Sequence, residues 1–404
     1  MPDEELEYPE LTDEYLRSLQ GQVDNLRARN QRLTRRIARM ELDRERHRSL
    51  VPRRRRSASA MDKAPHPVDR SVAIPGVGII PDLSLPESPV ARPDLRVAVV
   101  LDRFSEAAFK YEFNAIDVPA VGWEAILESE LPHLLLVESA YSGSDGSWAG
   151  LVARFGEPST ELAELVDWCR RREIPTVFWN KEDPINHDWF TTSAKLFDHV
   201  FTVDSNMVDR YRSRLGHDRV GVLQFSAQPV IHHPPNDESS RNGGVAFAGS
   251  YYAVKHPARR EQMEMLLDAA AGFGLHIFDR MHRQDDPRFA WPQRYRPFIV
   301  GSLTYPQTLE AYRRYRVFIN VNTVVDSPTM CARRVYELLA SGTRVISGPS
   351  RALGGVPVEI ATTEQEARAI LSRTDDRSVD ERAGWVQAGN LTGHRVDTIL
   401  DAVS

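Results

Sequence analysis

The chain has 404 residues, 41% of them hydrophobic and 27% charged, with a net charge of −6. That length exceeds one ordinary domain, and that balance excludes a wholly disordered chain. No apolar run reaches the roughly 18–20 residues of a membrane span, and Cys169 and Cys331 make neither a disulfide framework nor a metal-ligand spacing.

Charge is unevenly spread at the N-terminus. Residues 1–14 carry seven acids and no base, the opposite of a signal-peptide n-region, so a cytoplasmic location is expected. Residues 17–56 carry fourteen arginines against four acids. Such a stripe can meet nucleic acid or an anionic surface. The chain holds forty-six arginines and only five lysines, so arginine is its default cation and the cluster loses weight. Nucleic acid is therefore not the expected partner.

Residues 1–49 read as a coiled-coil dimerisation helix. Leu16, Leu19, Val23, Leu26, Asn30, Leu33, Ile37 and Met40 alternate at spacings of three and four, a narrow a/d seam. A buried Asn at an a position favours a two-stranded parallel pairing, which points to a homodimer through residues 16–43. Residues 50–94 hold eight prolines and the run Arg53–Arg56 and read as an extended, mobile linker.

From residue 95 the texture becomes α/β. Strands are predicted at 96–101, 133–137, 175–179, 199–203 and 219–223, with helices at 161–172 and 206–215 between them. After a Pro- and His-rich break at 228–235, strands are predicted at 245–248, 275–278, 317–321 and 344–346. Helices are predicted at 257–271, 306–315 and 328–340. Strand–helix alternation at this spacing predicts two doubly wound, Rossmann-like domains, 95–226 and 227–404. Ligands of such sheets bind beyond the carboxyl ends of the strands, which places a site in the cleft between the domains.

Residues 318–349 read strand, polar loop with Asn322, capped helix, glycine stop, strand. Ser327 suits the N-cap and Pro328 the first helical position, leaving the free N–H groups near Thr329 and Met330 as an anion site. Glu337 could take both hydroxyls of a ribose and Arg334 could meet a phosphate. An ordinary helix ion pair with Arg333 or Arg334 is the competing reading of Glu337. Residues 245–260, VAFAGSYYAVKHPARR, end a strand at Gly249 and Ser250 and then present Lys255 and Arg259. Glycine lets backbone approach a phosphate. A lysine in so lysine-poor a chain points to a diphosphate role, with a solvated turn as the alternative.

The segment RRVYELLASGTRVIS, following FINVN and the earlier FAGSYY, resembles the nucleotide-sugar half of GT-B glycosyltransferases. Within them it is most similar to the CgeB-type (spore maturation) and glycosyltransferase group 1 set. The resemblance covers about residues 130–404. It implies a sugar-nucleotide donor in the C-terminal domain, UDP-linked, transferred without a metal and without a further cofactor. Glu337 would hold the ribose; Arg334, Lys255 and the 328–331 helix start would meet the diphosphate. Many relatives carry a second glutamate where this chain has Thr329, which leaves the sugar contacts open.

The N-terminal domain would take the acceptor. Glu138 and Trp148 lie in one loop after a strand. Trp179, Lys181, Asp183 and His187 lie in another, FWNKEDPINHDWF, which also resembles the CgeB-type set. Asp183 or His187 is the candidate general base if transfer inverts configuration. Glu138, Trp148, Trp179 and Lys181 are the acceptor-binding candidates. The alternative from another class is an inactive scaffold of the same fold that acts through the coiled coil.

Overall fold

The computed structural model describes residues 71–282 and 286–404. The coiled coil and the Arg53–Arg56 run lie outside those residues. The order of elements begins with a hairpin, β1 (Val72–Ile74) and β2 (Gly78–Ile80).

The first lobe follows. Its strands are β3 (Arg92–Val100), β4 (Phe113–Asp117), β5 (Leu134–Glu138), β6 (Thr176–Asn180), β7 (His199–Thr202) and β8 (Val220–Val222). Its helices are α1 (Arg103–Phe109), α2 (Glu124–Glu130), α3 (Thr160–Arg170), α4 (His187–Ala194) and α5 (Val208–Leu215). The sheet is parallel throughout, in the order β4-β3-β5-β6-β7-β8. Its central strands LLLVE and TVFWN are buried at every position, as covering on both faces requires. Alternate residues serve opposite faces. Leu135 and Val137 pack with Leu162, Leu165 and Phe190 of the helices, while Leu134 and Leu136 face Phe109 and Ile399.

The second lobe repeats the plan. Its strands are β9 (Gly243–Gly249), β10 (Leu275–Asp279), β11 (Ile299–Gly301), β12 (Tyr315–Asn320), β13 (Arg344–Ser347) and β14 (Glu359–Ile360), in the parallel order β11-β10-β9-β12-β13-β14. Its helices are α6 (Pro257–Ala270), α7 (Tyr305–Arg314), α8 (Arg333–Ala340), α9 (Glu364–Ser372), α10 (Val379–Gln387) and α11 (Thr392–Val403). Val245, Phe247 and Ile319 pack against Met263 and Leu266 on one face; Ala246, Phe318 and Val345 pack against Val335 and Leu338 on the other.

Three expectations need correction. Residues 71–94 are not an extended linker. The hairpin buries Ile74, Val77 and Ile80 in the core of the second lobe. Gln307 Nε2 donates to Pro81 O at 3.1 Å, and Tyr111 of the first lobe donates to Pro86 O at 2.6 Å, so the segment straps both lobes. The apolar alternation of VAIPGVGII outweighs its proline, because Gly76 supplies the turn at φ 72°.

Residues 227–404 are likewise not one body. Helix α11 returns to the first lobe and packs Val396 and Ile399 under Val97, Val99 and Leu136. Thr392 N donates to Ala227 O at 2.9 Å where the chain crosses. Third, the helix predicted from residue 328 begins at Arg333, with Ala332 as an N-cap that makes no side-chain bond. Ser327 closes a tight turn instead: its Oγ accepts from Met330 N at 2.9 Å and donates to Asp204 Oδ1 at 2.6 Å. Residues 328–332 are thereby held as a loop against the first lobe.

Candidate functional site

The carboxyl ends of the two sheets face one another across a cleft. On the first lobe three charged groups meet there. Asp102 follows β3 and caps α1, accepting from Phe104 N at 2.8 Å and Ser105 N at 2.9 Å. Glu138 ends β5 and Lys181 follows β6. Lys181 Nζ donates to Glu138 Oε1 at 2.8 Å and is also ion-paired with Asp102. Parallel strands end at one edge, so residues 36 to 79 positions apart in the chain converge there.

Burial separates the two carboxyls. Glu138 is fully buried, and burial, with Asp102 beside it, pushes its pKa up to about 7 against the pull of Lys181. Burial also disfavours the Asp102 carboxylate, but Lys181 and then Arg333 outweigh it and hold the group at about 2. Asp102 keeps about a third of its side-chain surface exposed (32%), so it is the member that reaches the cleft. It lines a cavity of 260 Å³ with Phe104, Tyr141 and Lys181.

Arg333 spans the cleft from the second lobe. Its guanidinium carbon lies 4.3 Å from the Phe104 ring centroid, and its Nε stands 3.0 Å from Glu337 Oε1, without the alignment of a hydrogen bond. Glu337 is itself enclosed. Tyr305 donates to Oε1 at 2.8 Å, Tyr312 donates to Oε2 at 3.2 Å, and His232 Nε2 lies 3.6 Å from Oε1. Burial opposes its charge, yet Arg333 and then His232 keep the carboxyl below its ordinary value. Burial in turn pushes His232 down to about 4 despite Glu337. The ion pair with Arg333 is present as the competing reading had it, and both Glu337 oxygens carry internal partners.

Beside this network lies a second, purely cationic group. Arg259 donates to Ser250 O at 3.3 Å, and Arg280 Nε donates to Ser250 Oγ at 3.2 Å. Arg334 sits over Phe247, 5.6 Å from its centroid, with a buried Nε that has no hydrogen-bond partner. Burial pushes Arg259 down to about 10, and Arg334 and Arg280 add to the effect. Among the described residues none of the three has a carboxylate partner. Gly249 leaves the space: a side chain there would meet Phe247 at 2.9 Å and lie 3.6 Å from Arg334 Nη2. Stacked cations on a strand edge, without an acid, fit an anion.

Asp183 and His187 do not face the cleft. Asp183 is fully buried, accepting from Asn180 Nδ2 at 3.0 Å and Thr202 Oγ1 at 2.7 Å, with His187 Nδ1 at 2.8 Å. His187 is 2% exposed and packs edge-on to Tyr211, 4.8 Å between centroids. They brace the turn into α4, and the general-base expectation for them is corrected. Trp148 and Trp179 are core residues, their indole N–H groups donating to Val118 O at 2.7 Å and Leu223 O at 2.8 Å, so neither offers a face to an acceptor. Lys255 is exposed beside His256, and Arg259 joins the arginine group in its stead.

Thr329 and Met330 are not a free anion site either. Thr329 Oγ1 donates to Val203 O at 2.8 Å and accepts from Ser205 N at 2.9 Å, while Met330 packs into the core of the first lobe. They clamp the lobes together. Asn322 is buried, donating to Ser347 Oγ at 3.1 Å and Gly348 O at 2.9 Å, which braces the ends of β12 and β13.

The sequence reading passed over Asp102 and Arg280, and named Arg333 only as an ion-pair partner for Glu337. Asp102 and Arg280 each stand just past a strand, where parallel sheets place ligands, and that position was the available signal. No group of three or more His, Cys, Asp or Glu side chains among the described residues could hold a metal ion. No helix among them is long and apolar enough to cross a membrane.

No family model and no curated protein matches the chain. Solved structures do. An alpha-glucosyltransferase in complex with UDP and a 13-mer DNA containing a HMU base superposes with a TM-score of 0.50 at 10% identity, over 76% of this chain and 99% of that one. A T4 phage BGT mutant in complex with UDP-glucose reaches 0.47 at 11% identity, over 77% of this chain and 100% of that one. A glycosyltransferase from Rickettsia africae reaches 0.46 at 11% identity, over 76% and 97%. At such identities the likeness is one of fold: two parallel-sheet α/β lobes, consistent with GT-B.

Proposed function

We propose that the protein is a glycosyltransferase of the CgeB-type set that moves a sugar from a nucleoside diphosphate, UDP, to an acceptor hydroxyl in the cleft. The observation that carries the reading is the group Arg259, Arg280 and Arg334, without an ion-paired carboxylate among the described residues, at the carboxyl edge of the second sheet. These residues would hold the diphosphate and stabilise the charge it gains as the anomeric C–O bond breaks. UDP is suggested by the ligand of the structure that superposes at 0.50.

Across the cleft, Asp102 would accept the hydrogen bond of the acceptor hydroxyl and take its proton as the new C–O bond forms. Lys181 and Arg333 keep it ionised and able to accept that hydrogen bond, and also lower its basicity. Glu138, enclosed behind Lys181, would orient the ammonium rather than touch the acceptor. Closure of the lobes through Ser327–Asp204 would hold donor and acceptor together.

A calorimetric titration with UDP tests the donor half. Binding that weakens at least about tenfold in Arg334→Gln is expected; a chain that binds no UDP refutes the assignment. Release of UDP from UDP-sugars, lost in Asp102→Asn with UDP affinity retained, tests the chemistry. A second reading is a binding protein of the same fold without turnover. The engagement of both Glu337 oxygens favours it, since that carboxylate would have to exchange a tyrosine for a ribose hydroxyl. UDP binding without any release from UDP-sugars would select it.

A further inference from the structure

At the opposite, amino-terminal edge of the second sheet lies a cavity of 740 Å³. Its apolar lining includes Val245, Val317 and Phe273, where β9, β12 and β10 begin. Its walls are rich in arginine: Arg241, Arg316, Arg344, Arg373, Arg377 and Arg382 come from four separate stretches of chain, with Glu238 and Asp375 among them.

Four of the six have carboxylate partners. Arg241 pairs with Glu238 at 2.7 Å, and Arg382 is paired with Asp375. Arg344 and Arg373 share Glu359, at 2.5 and 2.7 Å, and Arg373 also meets Asp376. The guanidinium groups of Arg316 and Arg377 have no carboxylate partner among the described residues, although Arg377 N donates to Asp375 Oδ1 at 3.2 Å. Each guanidinium makes only a long bond to a backbone carbonyl, 3.4 Å to Gly243 O and 3.5 Å to Val358 O. Two uncompensated guanidinium groups thus stand at the rim of a large cavity with a partly apolar lining.

A volume of this size suits a small organic ligand. Guanidinium groups suit phosphate, which they bind in a fork, and the apolar lining suits a body without charge. We propose that this cavity is a binding site for a phosphate monoester carrying an apolar or aromatic body, separate from the cleft. It adjoins the far end of α8: Arg241 Nη2 donates to Ser341 O at 2.6 Å and Arg382 Nη1 to Gly342 O at 3.2 Å. The same helix begins with Arg333 and Arg334 at the cleft.

The test is calorimetric titration of the full chain with 1-naphthyl phosphate at low salt, with 1-naphthol as the probe that lacks the phosphate. Arg316→Gln/Arg377→Gln should bind 1-naphthyl phosphate at least about tenfold more weakly, while Arg334→Gln binds it as the natural chain does. Both substituted positions of the double variant are exposed, and a melting curve confirms its folding. Loss in Arg334→Gln with full binding in the double variant would put the probe in the cleft and overturn the proposal. So would 1-naphthol binding as tightly, or no binding to the natural chain.

Discussion

Arg333 of the second lobe holds its guanidinium 4.3 Å from the ring of Phe104 in the first, so one side chain joins the lobes at the floor of the cleft. The same residue is the cation nearest Glu337 and one of the two that keep Asp102 ionised. Arg333→Met should therefore act on both lobes. Removing one partner of a buried pair typically costs about 3–5 kcal/mol. A denaturant melt of the variant should show a loss of that order. A melt within about 0.5 kcal/mol of the natural chain would contradict the bridging role.

Glu337 makes a parallel prediction. Glu337→Ala would leave the Tyr305 and Tyr312 hydroxyls and the Arg333 guanidinium buried without their carboxylate. Tyr305 keeps His232 Nε2 at 3.1 Å, so the loss falls on Tyr312 and Arg333; an unsatisfied buried group costs about 1–3 kcal/mol, more for a charge. The variant is expected to melt earlier and to lose UDP affinity. Unchanged stability would mean that the network is not a structural one. Unchanged UDP affinity in a folded variant would sink the ribose role.

Arg334 should behave differently. Its buried Nε has no hydrogen-bond partner and it makes no ion pair among the described residues, although its charge acts on Glu337. Arg334→Gln removes positive charge from a crowded cationic group, so stability should hold or rise while UDP binding falls. A variant that melts earlier but binds UDP normally would reverse the assignment.

Two buried groups should give opposing pH dependences. Glu138 is raised from 4.5 to about 7, so the folded chain binds a proton there that the unfolded chain releases, and stability falls as pH rises through that window. His232 is lowered from 6.5 to about 4, so its stability is present above 6.5 and is lost as pH falls toward 4. Each is worth up to about 3 kcal/mol. The two slopes oppose between pH 4.5 and 6.5. Glu138→Gln should unmask a stability that climbs with pH there, and His232→Gln one that falls. Parallel, flat profiles in both variants would contradict the burial of these groups.

The dimer expected from residues 16–43 has its own measurement. Light scattering should report two chains for the full protein and one after removal of residues 1–50. A truncated chain that stays dimeric would refute the coiled coil.

Much of the sheet architecture was legible before any coordinate. Runs such as LLLV at 134–137 and VFW at 177–179 can only be covered on both faces, and that implies parallel strands between helices. The strand ends at Gly249 and Ser250 were also legible, because backbone periodicity is a local property. The site was not. Asp183 and His187 sit in a motif dense with reactive types, yet the packing of Thr202, Asn180 and Tyr211 turned both inward. The prolines of 71–94 looked like linker until the surface that receives Ile74, Val77 and Ile80 existed. Ser327 was a sound N-cap by composition, but Asp204, 123 residues away, drew it into a contact between lobes. Composition and periodicity report what each segment forms by itself. Which side chains face the cleft depends on partners from tens to more than a hundred residues apart, and only the packed chain brings those together.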